Sequence, residues 1–423
     1  MEQFIFTSKQ RNATFVMMAI GLLCMIITWM TDDALHTRFW TNFLHNSVFF
    51  TGIGFVALFM ICASISTYTS WFVVFRRVWE AYSLFLIVGI ILMLIIIVGL
   101  WGNFHHLYHW SDPHEVSKDI ILTNKSSFLN PVWYTAGTVI ILGVWYYFAK
   151  RLTSIGRDED LHGTNDYMQY KKTKVLAAIF LPIGGFSSVA VIWQWLMSLD
   201  AHWYSTMYAW YTTASWFVAM LCISVLMIIF LKSRGYLELV SREHLHDLGK
   251  YVFAFSIFWA YLWFSQFMLI WYANNGEETT YFNQRMVHYP ALYWGNLIIN
   301  FLLPFLVLMR NDTKRKMGIM AFVCIVVFLG HWLDFFQMIK PGALHTATEA
   351  LGAMNSHGAE GTAVHHAAPG FRMGFTIPGL LELGTLLGFL GLFFYVSLSN
   401  LTKVSLVPVN DPFLHESIHH HVQ

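Results

Sequence analysis

The sequence predicts an all-α polytopic membrane protein of about ten transmembrane helices, and three observations carry that reading. Its 423 residues are 57% hydrophobic and only 12% charged, with a mean hydropathy of +0.52, whereas soluble domains carry about 25% charge. Apolar runs close to the roughly 20 residues that a bilayer span needs recur along the whole chain. The basic residues between those runs fall mostly on one side of the membrane.

The first span is expected over 13–30, where "ATFVMMAIGLLCMIITWM" follows Lys9 and Arg11. A run of about 18 residues exceeds a signal-peptide core, and no small-x-small cleavage site follows, so it reads as a span. Nine more are expected over 47–71, 82–103, 131–149, 174–198, 210–231, 249–272, 289–309, 317–338 and 377–398. Each must be helical, because lipid offers the backbone no hydrogen-bond partner. Pro131, Pro290 and Pro378 fall at span starts, where a missing N–H costs little. Pro182 lies inside the fifth span, just before Gly184 and Gly185, and predicts a kink there.

Of the 25 Lys and Arg residues, all but Arg38, Lys118, Lys125, Arg285, Lys340 and Arg372 lie on the side of both termini. That side is expected to be cytoplasmic. Two extracytoplasmic loops are long. Residues 104–130 open with "FHHLYHWSDPH", and residues 339–376 carry His345, His357, His365 and His366. Such loops suit the docking of extracytoplasmic partners. The four cysteines, Cys24, Cys62, Cys222 and Cys324, sit apart in apolar runs with no C-x-x-C or C-x-x-C-H among them. The chain therefore lacks the motifs for covalent haem or a clustered iron–sulfur site, and a disulfide framework is not expected.

Charges inside a membrane are rare and face the bundle interior. At about 1.5 Å rise per residue, His331 and Asp334 lie about 21 and 26 Å along the ninth span, in its outer third. Their i, i+3 spacing puts them on one helical face. Glu382 lies about 8 Å inside the outer edge of the tenth span. Ser265 and Gln266 reach the same level on the seventh span, with Tyr261 one turn below. Tyr293 and Asn296 enter the eighth span from that side, and Asp200 and His202 close the fifth. The inner half offers mainly hydroxyls, such as Ser187 and Ser224.

Each group also has a plain structural reading. Asp200 caps a segment at the interface, amid an ordinary aromatic belt. His331 and Asp334 bridge helices, while Glu382, an acid in an apolar helix, favours a proton-linked role. His331 is the only histidine expected well inside a span, which argues against a transmembrane haem held by two histidines. His105, His106 and His109 could bind a divalent metal if the third span continued as helix. An interfacial cluster meeting a partner is the favoured alternative, so no metal site is expected.

Three long segments resemble a known family. They are "WLMSLDAHWYSTMYAWYTTASWF" (195–217), "HDLGKYVFAFSIFWAYLWFSQFMLIWYANNGEETTYFNQR" (246–285) and "LLPFLVLMRNDTKRK…GHWLDFFQMIKPG" (302–342). They are similar to the polysulfide-reductase-type (NrfD-like) integral membrane subunits of alternative complex III, a bacterial quinol:cytochrome c oxidoreductase unrelated to the cytochrome bc complexes. The likeness is to the second, smaller of its two such subunits, and Ala201 departs from the proline that relatives carry there.

The resemblance implies two four-helix bundles with a further helix at each end of the chain, in a bacterial cytoplasmic membrane. It implies as partners the paralogous NrfD-like subunit, an iron–sulfur subunit, multihaem and monohaem cytochromes c, a cytochrome oxidase and membrane lipids. Haems and iron–sulfur clusters would reside in those partners, and no nucleic acid is involved. The residues leave open a quinone headgroup, menaquinone or ubiquinone, among Asp200, His202, His331, Asp334 and Glu382, with Tyr261, Ser265, Gln266, Tyr293 and Asn296 as lining. The family instead places quinol oxidation in the paralogous subunit, which makes this chain a cofactor-free proton-handling homologue or a silent scaffold. A secondary transporter is a third reading, since Pro182 to Gly185 could interrupt a helix, but the acids cluster outward rather than at the midplane.

Overall fold

The computed structural model describes residues 3–163, 167–356 and 372–421, with the backbone alone for 349–356. Among the described residues, ten helices are long and apolar enough to cross a membrane. No strand occurs among them, only the isolated bridges Gln3–Ser405 and Met373–Ile377. The chain is an all-α polytopic membrane protein. Its helices are α1 Ser8–Thr31, α2 Thr37–Ser66, α3 Val73–Trp101, α4 Pro131–His162 and α5 Met168–Trp195. They continue as α6 Met207–Ser233, α7 Arg242–Ala273, α8 Pro290–Leu308, α9 Met317–Ser356 and α10 Leu380–Leu401.

Local chemistry sets the helix starts. Thr7 and Gln10 cap α1 reciprocally, Gln10 N donating to Thr7 Oγ1 and Thr7 N to Gln10 Oε1. Pro131 opens α4 behind Asn130, whose side chain accepts from Trp133 N at 2.9 Å. α10 starts two residues after Pro378, where the Glu382 carboxylate accepts from Gly379 N at 2.8 Å. α5 runs unbroken through Pro182. α8 widens into a π-helical turn at Ile298–Leu302, a local irregularity frequent at functional sites.

Besides α2 beginning at Thr37 rather than 47 and α4 running on to His162 rather than 149, two further expected boundaries are corrected. α3 begins at Val73, well before 82, because Arg76, Arg77 and Glu80 are buried rather than at a surface. Arg76 Nε bonds Glu80 Oε1 at 2.8 Å and its Nη1 bonds Asp411 Oδ2 at 2.9 Å. Arg77 bonds Glu80 Oε2 at 2.5 Å and also pairs with Asp160 of α4. This network ties α3, α4 and the C-terminal segment together. Removing one member leaves a buried charge uncompensated, at a cost of about 3–5 kcal/mol. The second correction is to the loop expected at 339–376. It begins as helix, since α9 continues through Pro341 to Ser356. His357, His365 and His366 lie outside the described residues.

Packing divides the spans into two groups of four. α2, α3, α4 and α5 pack on one another, as do α6, α7, α8 and α9. The groups meet where α2 lies against α6 and α9. α1 and α10 form a flanking pair that rests on α2 and α3. Glycines permit the closest approaches. A Cβ on Gly21 of α1 would fall 2.3 Å from Gly388 Cα of α10, the close packing that small residues allow in membranes.

At the seam between the groups, a Cβ on Gly52 would lie 1.9 Å from the ring of Trp216, itself wholly buried. Gly52→Ala should therefore lower stability by about 1–3 kcal/mol through overpacking. Helix propensity alone would raise it by roughly 1 kcal/mol. The melting temperature in detergent decides between them, and a rise would refute the tight seam.

Candidate functional site

The polar groups expected at one level resolve into three separate places. The first is centred on Asp334 of α9, which α6 and α7 surround with donors. Tyr211 and Ser215, one turn apart on α6, both reach it. Tyr211 OH donates to Oδ1, and Ser215 Oγ lies 2.9 Å from Oδ2. Trp259 Nε1 of α7 donates to Oδ2 at 2.9 Å. His331, one turn before Asp334, places Nδ1 2.8 Å from the same Ser215 Oγ. All five side chains are buried. His331 Nε2 is buried too and has no partner among the described residues.

Beside Asp334 lies a cavity of about 20 Å³. One water needs roughly 10–15 Å³ of such space, so the cavity fits a water. Gln266, Arg285, Tyr293 and Gln337 line it together with Tyr211 and Asp334. Asn296 donates from Nδ2 to Gln337 Oε1 at 2.6 Å. Gln266 Nε2, Tyr293 OH, Gln337 Nε2 and both amide atoms of Asn300 are buried without a protein partner. Such a set calls for water.

Arg285 closes the cavity towards the basic-poor end. Its guanidinium sits 3.4 Å over the Tyr281 ring, and Nη2 donates to Asp200 Oδ2 at 2.8 Å. Burial opposes its charge, but Tyr281 and Asp200 outweigh this and raise its pKa. Asp200 thus belongs to the rim of the Asp334 site.

His202 does not join it. Two residues beyond Asp200, past a 3₁₀ turn, it is half exposed and bonds Asp119. That bond, with backbone donors from Ile121 and Leu122, holds Asp119 below its ordinary pKa. Glu382 is also separate. Arg38 grips it through two bonds of 2.7 and 2.8 Å, and Asn42 Nδ2 donates to it at 3.0 Å. The Asn42 carbonyl oxygen accepts from Lys340 Nζ at 2.6 Å. Lys340, expected in a loop, is fully buried in α9.

Among the expected lining residues, Gln266 and Tyr293 line the cavity and Asn296 bonds to its wall. Tyr261 is 60% exposed and Ser265 half-buried, and neither lines it. On α7 the inward face carries Trp259, Trp263 and Gln266, and the helical period turns Tyr261 away from it. The inner-half hydroxyls serve tryptophans: Ser224 accepts from Trp79 Nε1 at 3.0 Å and Ser187 from Trp145 Nε1 at 2.9 Å.

One histidine expectation is corrected, and the condition attached to another is not met. His45 of α2 is also wholly buried inside a span, donating from Nε2 to the Trp332 carbonyl at 2.9 Å. The stretch "HHLYH" is not a continuation of α3, which ends at Trp101, so its spacing is not helical. Among the described residues, no group of three or more His, Cys, Asp or Glu is placed to hold a metal. No family model matches the chain, and no curated protein matches it.

His105 packs on Trp40 and donates to the Ile96 carbonyl at 3.1 Å. Burial lowers its pKa to about 4 from 6.5. The unfolded chain then binds more protons between those values, so stability should fall as pH drops from about 6.5 to about 4 and level off below. Hydrogen exchange at 104–111 measures this. Protection that stays flat over that window would show His105 to be charged in the fold.

Proposed function

We propose that this chain is an integral subunit of a bacterial respiratory quinol:cytochrome c oxidoreductase of the alternative complex III type. In that reading the Asp334 cluster handles protons on the extracytoplasmic side, while electrons pass through the haem and iron–sulfur partners. One observation carries it. The three segments that resemble the family, far apart in sequence, converge on one cavity. The first supplies Asp200, Tyr211 and Ser215, the second Trp259, Gln266 and Arg285, and the third His331, Asp334 and Gln337.

The geometry suits a relay. A serine hydroxyl has one proton to give. With Asp334 ionised, Ser215 donates to Oδ2 and His331 Nδ1–H donates to Ser215, leaving Nε2 as an acceptor. A proton arriving at Nε2 displaces Nδ1–H to Ser215 and the serine proton to Asp334. The protonated carboxyl then faces the water-sized cavity beneath Arg285 and Asp200. From His331 onward, each transfer moves one proton along an existing hydrogen bond, first to Ser215 and then to Asp334. The size of the cavity favours proton handling here over quinone binding.

Asp334→Asn removes the terminal acceptor of this relay. In the assembled complex in proteoliposomes, it should reduce quinol turnover and coupled proton release by about tenfold or more, since positioned acid–base groups contribute roughly 10²–10⁴. The amide also faces donors with a donor, costing about 1–3 kcal/mol, so assembly is verified by native gel and haem content. Normal assembly with wild-type turnover and proton release would leave the chain a silent scaffold.

A further inference from the structure

A second cavity, of about 190 Å³, opens near the end of α5 at the basic-poor side. Trp193, Met197 and Trp203 wall it on one side, and Lys125 and Phe128 from the 104–130 segment on the other, with Tyr204 at its mouth. It is nine times the volume of the Asp334 cavity and apolar. An apolar cavity of about 150 Å³ takes up benzene, so hydrocarbon can fill this one.

Its walls carry two indole donors. Trp203 is 5% exposed, yet its Nε1 has no partner, and Trp193 Nε1 is likewise buried and unpaired. A buried N–H without an acceptor is costly, and an acceptor oxygen removes that cost. Lys125 Nζ donates to the carbonyls of Ala201, at 2.7 Å, and His202, at 3.4 Å, which leaves one ammonium proton over. No carboxylate among the described residues forms an ion pair with it. Asp119, the acid that acts on it at longer range, is already bound to His202. Burial pulls the Lys125 ammonium below the ordinary lysine range.

A cation without a counter-ion, two indole donors and an apolar cavity thus lie together at one edge of the membrane. We propose that this cavity holds one phospholipid of the outer leaflet, its phosphodiester on Lys125 and an acyl chain among Phe128, Met197, Trp203 and Tyr204. The indole N–H groups donate to its oxygens. A Lys–phosphate contact is charge-assisted and stronger than a neutral hydrogen bond, which secures the head, while the cavity takes the chain. The site is distinct from the Asp334 cluster and stands whether or not the proposed function does.

Native mass spectrometry of the full chain in mild detergent tests this, with delipidated protein titrated with dioleoylphosphatidylglycerol. The wild type should retain one phospholipid, and dioleoylglycerol, which lacks the phosphate, should not compete for it. Lys125→Gln keeps a donor for the Ala201 carbonyl but loses the charge. It should need about tenfold more lipid for half-occupancy, the loss of one charge-assisted contact. Lys125→Arg should bind close to wild type. Equal binding by Lys125→Gln, weakening by Lys125→Arg to the level of Lys125→Gln, or a retained molecule without phosphate would overturn the proposal.

Discussion

The hydrocarbon of a bilayer supplies no partner for a charge, and the rest of the structure depends on that constraint. Each acid or base drawn into the spans has to find its complement inside the protein. Arg76 and Arg77 find Glu80, Asp160 and Asp411 at one end of the first group of helices. Arg38 finds Glu382 where α2 meets α10, and Asn42 holds Glu382 and Lys340 together. These contacts join residues up to 344 positions apart in sequence. They position elements that apolar side chains, equally at home against lipid, would place less specifically.

The way each acid is satisfied separates the structural from the chemical. Glu382 is clamped by a guanidinium in a two-bond fork, the strongest arrangement for a carboxylate, and it lines neither the Asp334 cavity nor the apolar one at the end of α5. Asp334 receives three bonds from neutral donors, Tyr211, Ser215 and Trp259, and among the described residues makes no ion pair. One oxygen is shared with a hydroxyl that also touches His331. A carboxylate held this way can take a proton without stranding a buried cation, whereas protonating Glu382 would leave Arg38 uncompensated. The chemistry therefore concentrates at Asp334, although both acids sit in apolar helices at comparable depth.

Much of the fold was legible because hydropathy reports directly on lipid contact. Each of the ten apolar runs falls on a helix long enough to cross a membrane, but several edges move, among them the one at 73–81 where charge and burial part company. Residues 73–81 look like loop because Arg76, Arg77 and Glu80 read as solvated, yet they neutralise one another inside. Depth along a helix put polar groups from five spans at one level, but level is not proximity, and helix order decides which of them meet. His331, Asp334 and Gln266 share an interior; Glu382 faces a different seam. Sequence adjacency misled in the same way, since Asp200 and His202 leave a 3₁₀ turn in different directions. Arg285 and Lys340 were counted only as loop charges. The usable signal for the Asp334 donors was the i, i+4 pair Tyr211 and Ser215 within the segment that resembles the family.

The two cavities at the basic-poor end share a wall, and its composition follows from what each side needs. Trp203 lines the apolar cavity and stacks on Tyr281 at 3.8 Å. Tyr281 lines the polar cavity and carries Arg285 on its ring at 3.4 Å. The order indole, phenol, guanidinium grades from the most apolar face to a full charge across three stacked planes. An aliphatic wall would seal the cavity but offer Arg285 no π-face, and the attraction of a cation to an aromatic ring is worth about 2 kcal/mol when desolvated. The stack thus keeps hydrocarbon out of the hydrated site while holding the cation that pairs with Asp200. A polar cluster so close to lipid can stay polar only if such a partition exists, and Trp203 within the aromatic segment from Trp195 to Trp210 has this physical use.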